Sequence, residues 1–150
     1  MIRLHLRTPL KYTETPGLLP FGCTFSGEDP AHFCAHFCGQ KDGQEVLFCY
    51  ELDEAQAARI DPEAHCFLGE LVFTGKGDGT QGNVQLPAGQ YLFVQHRRIL
   101  DRDECVYLAI EQQKDGLWER NKPGNRLYIR FLFEDDSPVT QLFRPVEFSC

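Results

Sequence analysis

The sequence has no apolar run of the roughly 18 residues that a membrane-spanning helix requires. Its first stretch, MIRLHLRTPLKYTETPG, alternates charged and apolar residues and lacks the continuous apolar core of a secretion signal. Positive charge is also scarce, because 15 Lys and Arg stand against 22 Asp and Glu and give a net charge of −7. Attraction to nucleic acid or to an anionic membrane is therefore not expected. We expect a soluble, cytoplasmic protein.

The signatures of several enzyme classes are missing as well. We find no Ser-His-Asp order, no HExxH and no GxSxG pattern. The segment TGKGDGTQGN (74–83) has four glycines, but it precedes an expected strand and lacks the Lys-Ser/Thr ending of a phosphate-binding loop. We interpret it as a linker or hairpin. The seven cysteines are an odd number, which favours reduced thiols over a full disulfide framework.

One stretch, HFCAHFC, places a histidine or cysteine at every second position, namely His32, Cys34, His36 and Cys38. In a helix the two histidines would share one face and the two cysteines would lie about 200 degrees away. In a strand the four side chains would be spread over roughly 20 Å. Neither arrangement gathers four ligands around one tetrahedral ion. We therefore expect buried thiols and surface histidines, and no metal or other cofactor. The alternative is zinc held by two of the four together with ligands from elsewhere.

Apolar residues recur with a period of two in most of the chain, which is typical of strands. Six segments show this period: 2–7, 45–52, 67–73, 90–97, 126–133 and 141–148. Helical signals are fewer. A long helix is predicted over 101–120, which opens with acidic residues, and shorter ones over 29–38 and 53–60.

An internal echo organises these elements. The stretch LPFGCTF (19–25) recurs as LPAGQYLF (86–93), and each copy is followed by a helical stretch and then by two strands. The echo predicts a single α+β domain over residues 1–150, built from two β-α-β-β halves. These halves would cover about 1–74 and 84–150, joined by a linker at 75–83.

The second half resembles a known family. LPAGQYLFVQH, a helix that contains LWE, and NRLYIRFLFEDDSPVTQLFRPVEF (125–148) are together similar to the GyrI-like small-molecule-binding domain. The match covers about residues 84–148, while the first half offers the duplicated architecture and VLFCYELD. The resemblance implies one curved antiparallel sheet, with helices on its outer face and a ligand groove on its inner face. Family members occur fused to DNA-binding regions in drug-sensing regulators and as stand-alone proteins, and we expect a stand-alone form.

Strand alternation suggests which side chains face the groove. In RLYIRFLF (126–133) the apolar residues share one face, which is the natural partner for helices, and the polar and aromatic residues share the other. The first set is Leu127, Ile129, Phe131 and Phe133, and the second is Arg126, Tyr128 and Arg130. The pattern leaves open which face Tyr91 and Glu51 take.

Family members that bind cationic aromatic compounds place a glutamate two positions before the tyrosine of this strand. Here that position is Arg126. The departure suggests that Arg126 and Arg130 receive an anionic or carbonyl-rich ligand through their forked donors. The alternative is that both arginines pair with Glu51 or Asp135 on an exposed sheet face.

These observations predict a small-molecule-binding protein with an aromatic groove. The expected ligand-binding residues are Glu51, Tyr91, Trp118, Arg126 and Tyr128, with the aromatics as stacking surfaces and the charged residues as anchors. For Trp118, the only tryptophan, the alternative is an ordinary position at the edge of the core.

Two other functions stay open. The first is a hydrolase acting on a small electrophilic compound, with a carboxylate or tyrosine that activates water, or with Cys49 as nucleophile beside His96. The second is a protein-binding inhibitor of a topoisomerase, because an acidic surface can mimic nucleic acid toward a basic partner.

Overall fold

A computed structural model describes residues 2–15, 45–52, 70–100, 102–118, 121–135 and 137–148. Within these ranges the chain forms nine strands and one helix. The elements, in chain order, are β1 (Ile2–Leu6), β2 (Leu10–Glu14), β3 (Glu45–Glu51), β4 (Glu70–Gly79), β5 (Val84–Leu86), β6 (Gly89–His96), α1 (Arg102–Trp118), β7 (Asn121–Pro123), β8 (Arg126–Glu134) and β9 (Ser137–Phe148). No helix within these ranges has the length and apolar character needed to cross a membrane.

The strands pair in the order β1-β6-β9-β8-β3-β4-β2-β5, and β7 adds to β9. All of these pairings are antiparallel. The connectivity repeats along the sheet. In the set β2, β3 and β4, the last strand lies between the other two, so β4 pairs with both β2 and β3. In the set β6, β8 and β9, β9 likewise pairs with both β6 and β8. The two sets meet where β3 pairs with β8.

The sheet curls because its two ends are joined by very short connections. The ladder between β1 and β6 ends with Leu6 opposite Gly89, and the ladder between β2 and β5 begins with Leu10 opposite Leu86. The first pair of strands therefore continues into the second with an offset of one residue, so that β1 and β2 act as one bent strand, and β5 and β6 as another. The result is a half-barrel with an inner and an outer face.

The inner face carries a cluster of apolar and aromatic side chains drawn from all eight strands of the curled path. Its buried members are Tyr12, Leu47, Cys49, Leu86, Tyr91, Tyr128 and Phe143, and the side chains packed against them are Leu4, Leu6, Leu10, Phe73, Val84 and Phe93. Only the inside of a curled sheet can bring side chains from both of its ends into one cluster.

The outer face carries the second cluster, to which α1 contributes Cys105 and Ala109. Its sheet members include Phe48, Tyr50, Leu127, Ile129, Phe131 and Leu142. The predicted division of β8 is thereby confirmed, because its apolar set lies in the outer cluster and Tyr128 in the inner one. α1 also confirms the long helix expected over 101–120.

The predicted fold class, α+β with helices covering the outer face of a duplicated β-α-β-β sheet, is wrong. The described chain is mostly antiparallel strand and has one helix. The helices expected at 29–38 and 53–60 lie outside the described residues. Each of the six predicted segments contains a strand within the described residues, and β2, β5 and β7 are further strands that the period of two did not reveal. β5 and β7 have only three residues each. The proposed halves at 1–74 and 84–150 stay a prediction.

Residues 75–79, which we expected in the linker, belong to β4. Gly75 and Lys76 pair with both β2 and β3, and Gly77 pairs with β3. Glycine is required here by close packing. A Cβ atom on Gly75 would lie 2.6 Å from the Cβ of Tyr12 and 2.9 Å from a methyl group of Val84. The glycines that suggested a linker therefore leave space for the side chain of Tyr12, which lies along the backbone of β4.

Candidate functional site on the inner face

The structure brings four of the five predicted ligand-binding residues to one end of the inner face. In the pairing of β3 with β8, Glu51 lies opposite Arg126, and Cys49 lies opposite Tyr128. The ring of Tyr91, on β6, meets the ring of Tyr128 edge-on, with the ring centroids 6.3 Å apart. Strand alternation accounts for this convergence, since Glu51 shares the face of the inner-cluster residue Cys49. The faces of Tyr91 and Glu51, which the sequence left open, are thus both inner.

The four residues form two layers. Tyr91 and Tyr128 are 2% and 3% exposed, whereas Arg126 and Glu51 are exposed to solvent. Burial raises the pKa of Tyr128, and the neighbouring Cys49 raises it further. A hydrogen bond with Tyr128 raises the pKa of Arg126, to which the negative charge of Glu51 also contributes. A charged rim therefore lies over neutral phenols, a combination suited to holding a polar group above an aromatic floor.

The hydroxyl of Tyr91 is held by the backbone. It donates a hydrogen bond to the backbone carbonyl of Pro87, in the short connection between β5 and β6. Burial raises the pKa of Tyr91 as well. The ring is also held edge-on by Phe143 at a centroid distance of 5.7 Å. Tyr91 is thus a fixed wall of the inner face.

Cys49 is not positioned to act as a nucleophile. The side chain is fully buried, and burial raises the pKa of its thiol to about 12, which keeps the sulfur protonated at neutral pH. His96, the base considered from the sequence, lies on the opposite face, because Val94 on the same side of β6 packs against the outer cluster. The pair Cys49 and His96 does not form.

A largely buried polar network occupies the inner face near its other end, and its central residue, Glu45, was not predicted from the sequence. The guanidinium of Arg130 donates from Nε to Oε1 of Glu45 at 2.9 Å and also from Nη2 to Oε2. The hydroxyl of Tyr12, fully buried, donates to the same carboxylate. Nη1 of Arg130 donates to Oε1 of Gln141 at 2.8 Å, and Nε2 of Gln141 donates to Oε1 of Gln95 at 2.7 Å. The network crosses five strands.

This network corrects the expected role of Arg130. The predicted partners were a ligand, Glu51 or Asp135, but the fork of Arg130 is filled by Glu45. Burial opposes the charge of Arg130, yet its hydrogen bond with Glu45 and the nearby Glu45 and Tyr12 raise its pKa. Arg130 is therefore a structural residue, and of the two arginines Arg126 alone stays at the rim.

A signal for Glu45 exists in the sequence. Glu45, Leu47, Cys49 and Glu51 alternate in EVLFCYE, so a buried Leu47 and Cys49 require Glu45 to point inward too. A carboxylate buried in this way needs a cation and hydrogen-bond donors. Its partners, however, come from β2 and β8, which are distant in the chain.

Trp118 ends α1, and its side chain lies outside the described part of the structure, so its predicted role stays a prediction. HFCAHFC also lies outside the described residues. Among the side chains that are described, no group of three or more His, Cys, Asp or Glu could hold a metal ion.

Comparison with family models found no match to this chain, and a search of curated proteins found none either. The resemblance to the GyrI-like domain accordingly stays a prediction that depends on the residues quoted above.

Proposed function

We propose that this protein binds a small molecule at the end of the inner face where Arg126 and Glu51 lie above Tyr91 and Tyr128. One observation carries the proposal: residues selected from the sequence for ligand binding converge from three strands on one spot. Charged side chains held next to buried aromatics, with perturbed pKa values, are typical of binding sites.

The ligand class follows from Arg126. A guanidinium offers planar paired donors that match a carboxylate or a carbonyl-rich group. Because Arg126 is exposed, its donors are accessible to a ligand from solvent. The carboxylate of Glu51 limits the net positive charge of the rim, so an aromatic compound with one carboxylate fits this arrangement better than a polyanion.

Binding is a better account of this site than catalysis. Burial raises the pKa of the Cys49 thiol and of the Tyr91 and Tyr128 hydroxyls, so none of them is ionised near pH 7. A neutral thiol or phenol is a poor nucleophile and a poor general base. These groups are suited to packing against a ligand.

The experiment is a calorimetric titration with naphthalene-2-carboxylate and with the matched cation 2-naphthylmethylammonium. We expect the carboxylate to bind more tightly, and Arg126→Ala to weaken its binding about tenfold or more, since a charge-assisted hydrogen bond is worth about 1.5–3 kcal/mol. Arg97→Ala is the matched control, because Arg97 is an exposed arginine in the turn after β6, away from this end of the sheet. Equal binding of the carboxylate by wild type and Arg126→Ala would remove Arg126 from the site.

A further inference from the structure

A cleft of about 390 Å³ lies on the outer side of the sheet, between the end of β6 and the first half of α1. Its lining residues are His96, Arg98, Leu100, Glu104, Tyr107 and Leu108. Leu100 and Leu108 belong to or pack against the outer cluster, so the cleft is separated from the inner-face site by the sheet itself. Its volume falls within the range of about 300–1,000 Å³ that is usual for small-molecule sites.

One wall of the cleft is fixed in place. The backbone N–H of Leu100 donates to Oγ1 of Thr140 at 3.0 Å, and that hydroxyl donates to the carbonyl oxygen of Arg98 at 2.8 Å. Thr140 is fully buried on β9, so the turn after β6 is tied to the centre of the sheet at two points. Leu100, fully buried, forms an apolar floor that does not depend on a bound molecule for its position.

The other wall carries an aromatic ring in an unusual setting. Tyr107 on α1 is 57% exposed, while most other described large apolar side chains are buried or half-buried. It follows Glu104 by one helical turn and lies next to Leu108, so its exposed ring borders the apolar part of the cleft formed by Leu100 and Leu108. An exposed aromatic beside an apolar floor is a stacking surface for a flat molecule.

The charges at the cleft compensate each other. The guanidinium of Arg98 forms an ion pair with the carboxylate of Glu104 across the space between the turn and α1. We propose that this cleft is a second binding site, which takes a neutral, flat, mostly apolar aromatic molecule stacked on Tyr107. A charged ligand would have to compete with the ion pair between Arg98 and Glu104, whereas a neutral one leaves that pair intact.

The test uses the neutral naphthalene dye prodan, whose fluorescence reports transfer from water to an apolar site. With the full chain we expect saturable one-to-one binding that Tyr107→Ala weakens about tenfold, as loss of an aromatic contact predicts. Tyr107→Phe keeps the ring and is expected to bind within about twofold of wild type. The matched control is Ile2→Ala, because Ile2 is an exposed apolar residue at the other side of the sheet, 67% exposed. Circular dichroism checks that each variant is folded.

Non-saturable dye binding, or binding by Tyr107→Ala equal to that of wild type, would overturn the proposal. Arg126→Ala separates this site from the inner-face site. Unchanged dye binding in that variant supports a distinct outer cleft, and dye binding lost together with carboxylate binding would refute it.

Discussion

Replacing Arg130 with methionine should destabilise the protein strongly, because it leaves the Glu45 carboxylate buried without its cation. The two side chains are 16% and 9% exposed, so water cannot replace the guanidinium fully. Removing one partner of a buried ion pair costs about 3–5 kcal/mol. Partial exposure of Arg130 and the remaining hydrogen bond from Tyr12 place the expected loss near the lower end, at about 3 kcal/mol.

Urea denaturation at pH 7, followed by circular dichroism, measures this loss. With a slope of about 1.5 kcal/mol per molar urea, the midpoint should fall by about 2 M. Arg126→Met is the matched control, since Arg126 lies on the same strand and face but is exposed. For that variant we expect a change below about 1 kcal/mol.

The double variant Glu45→Leu with Arg130→Met separates pairing from packing. If the loss in Arg130→Met comes from an uncompensated charge, removing the carboxylate too should recover part of it, because apolar replacement of a buried pair is often neutral. Equal midpoint shifts for Arg130→Met and Arg126→Met would refute the reasoning. It would also be refuted if the double variant lost as much stability as Glu45→Leu and Arg130→Met lose when their separate effects are added.

Two further predictions concern Cys49 and a pair of glycines. The pKa of Cys49 is raised from 9.0 to about 12, so the folded state holds the thiol proton more tightly than the unfolded state, and stability is present below pH 9 and lost as the pH rises toward 12. Between pH 8 and pH 10 this thiol should lower the free energy of unfolding by about 1 kcal/mol. The urea midpoint should therefore fall less from pH 8 to pH 10 in Cys49→Ala than in wild type. Gly82→Ala should destabilise the protein far more than Gly89→Ala. Both glycines have a positive φ angle, 143° at Gly82 and 152° at Gly89, so backbone strain does not separate the two variants. Steric contact does, because a Cβ atom on Gly82 would lie 1.8 Å from the carbonyl oxygen of Tyr12, whereas one on Gly89 would meet nothing within 4 Å. Comparable thermal midpoints for the two glycine variants would contradict this account.

Strand alternation predicted the two side-chain sets of β8 correctly. β8 runs for nine residues, and its period of two correctly separated Tyr128 from Ile129. β5 and β7 have three residues each, too few for alternation to rise above chance, and neither was predicted from the sequence. The fold class was wrong because the described chain is mostly antiparallel strand and has one helix.

The candidate site was also predicted in part, where residue type and strand alternation were sufficient. Arg126, Tyr128 and Glu51 were selected from residue type and alternation, and the register of β3 against β8 placed them together. The partner of Arg130 could not be selected in this way. Glu45 lies 85 positions away in the chain, and nothing local distinguishes it from Glu51 as a partner.

The sequence by itself determined the period of its longer strands, the helix at α1 and the two side-chain sets of β8, because these depend on neighbours within a few residues. Tertiary structure alone decided which faces of β3 and β6 were inner, how the sheet curls through the continuation of β1 into β2, and that Arg130 is held by Glu45 while Arg126 stays exposed. Those outcomes depend on register between strands that are distant in the chain, and a shift of one residue in that register would exchange the two faces.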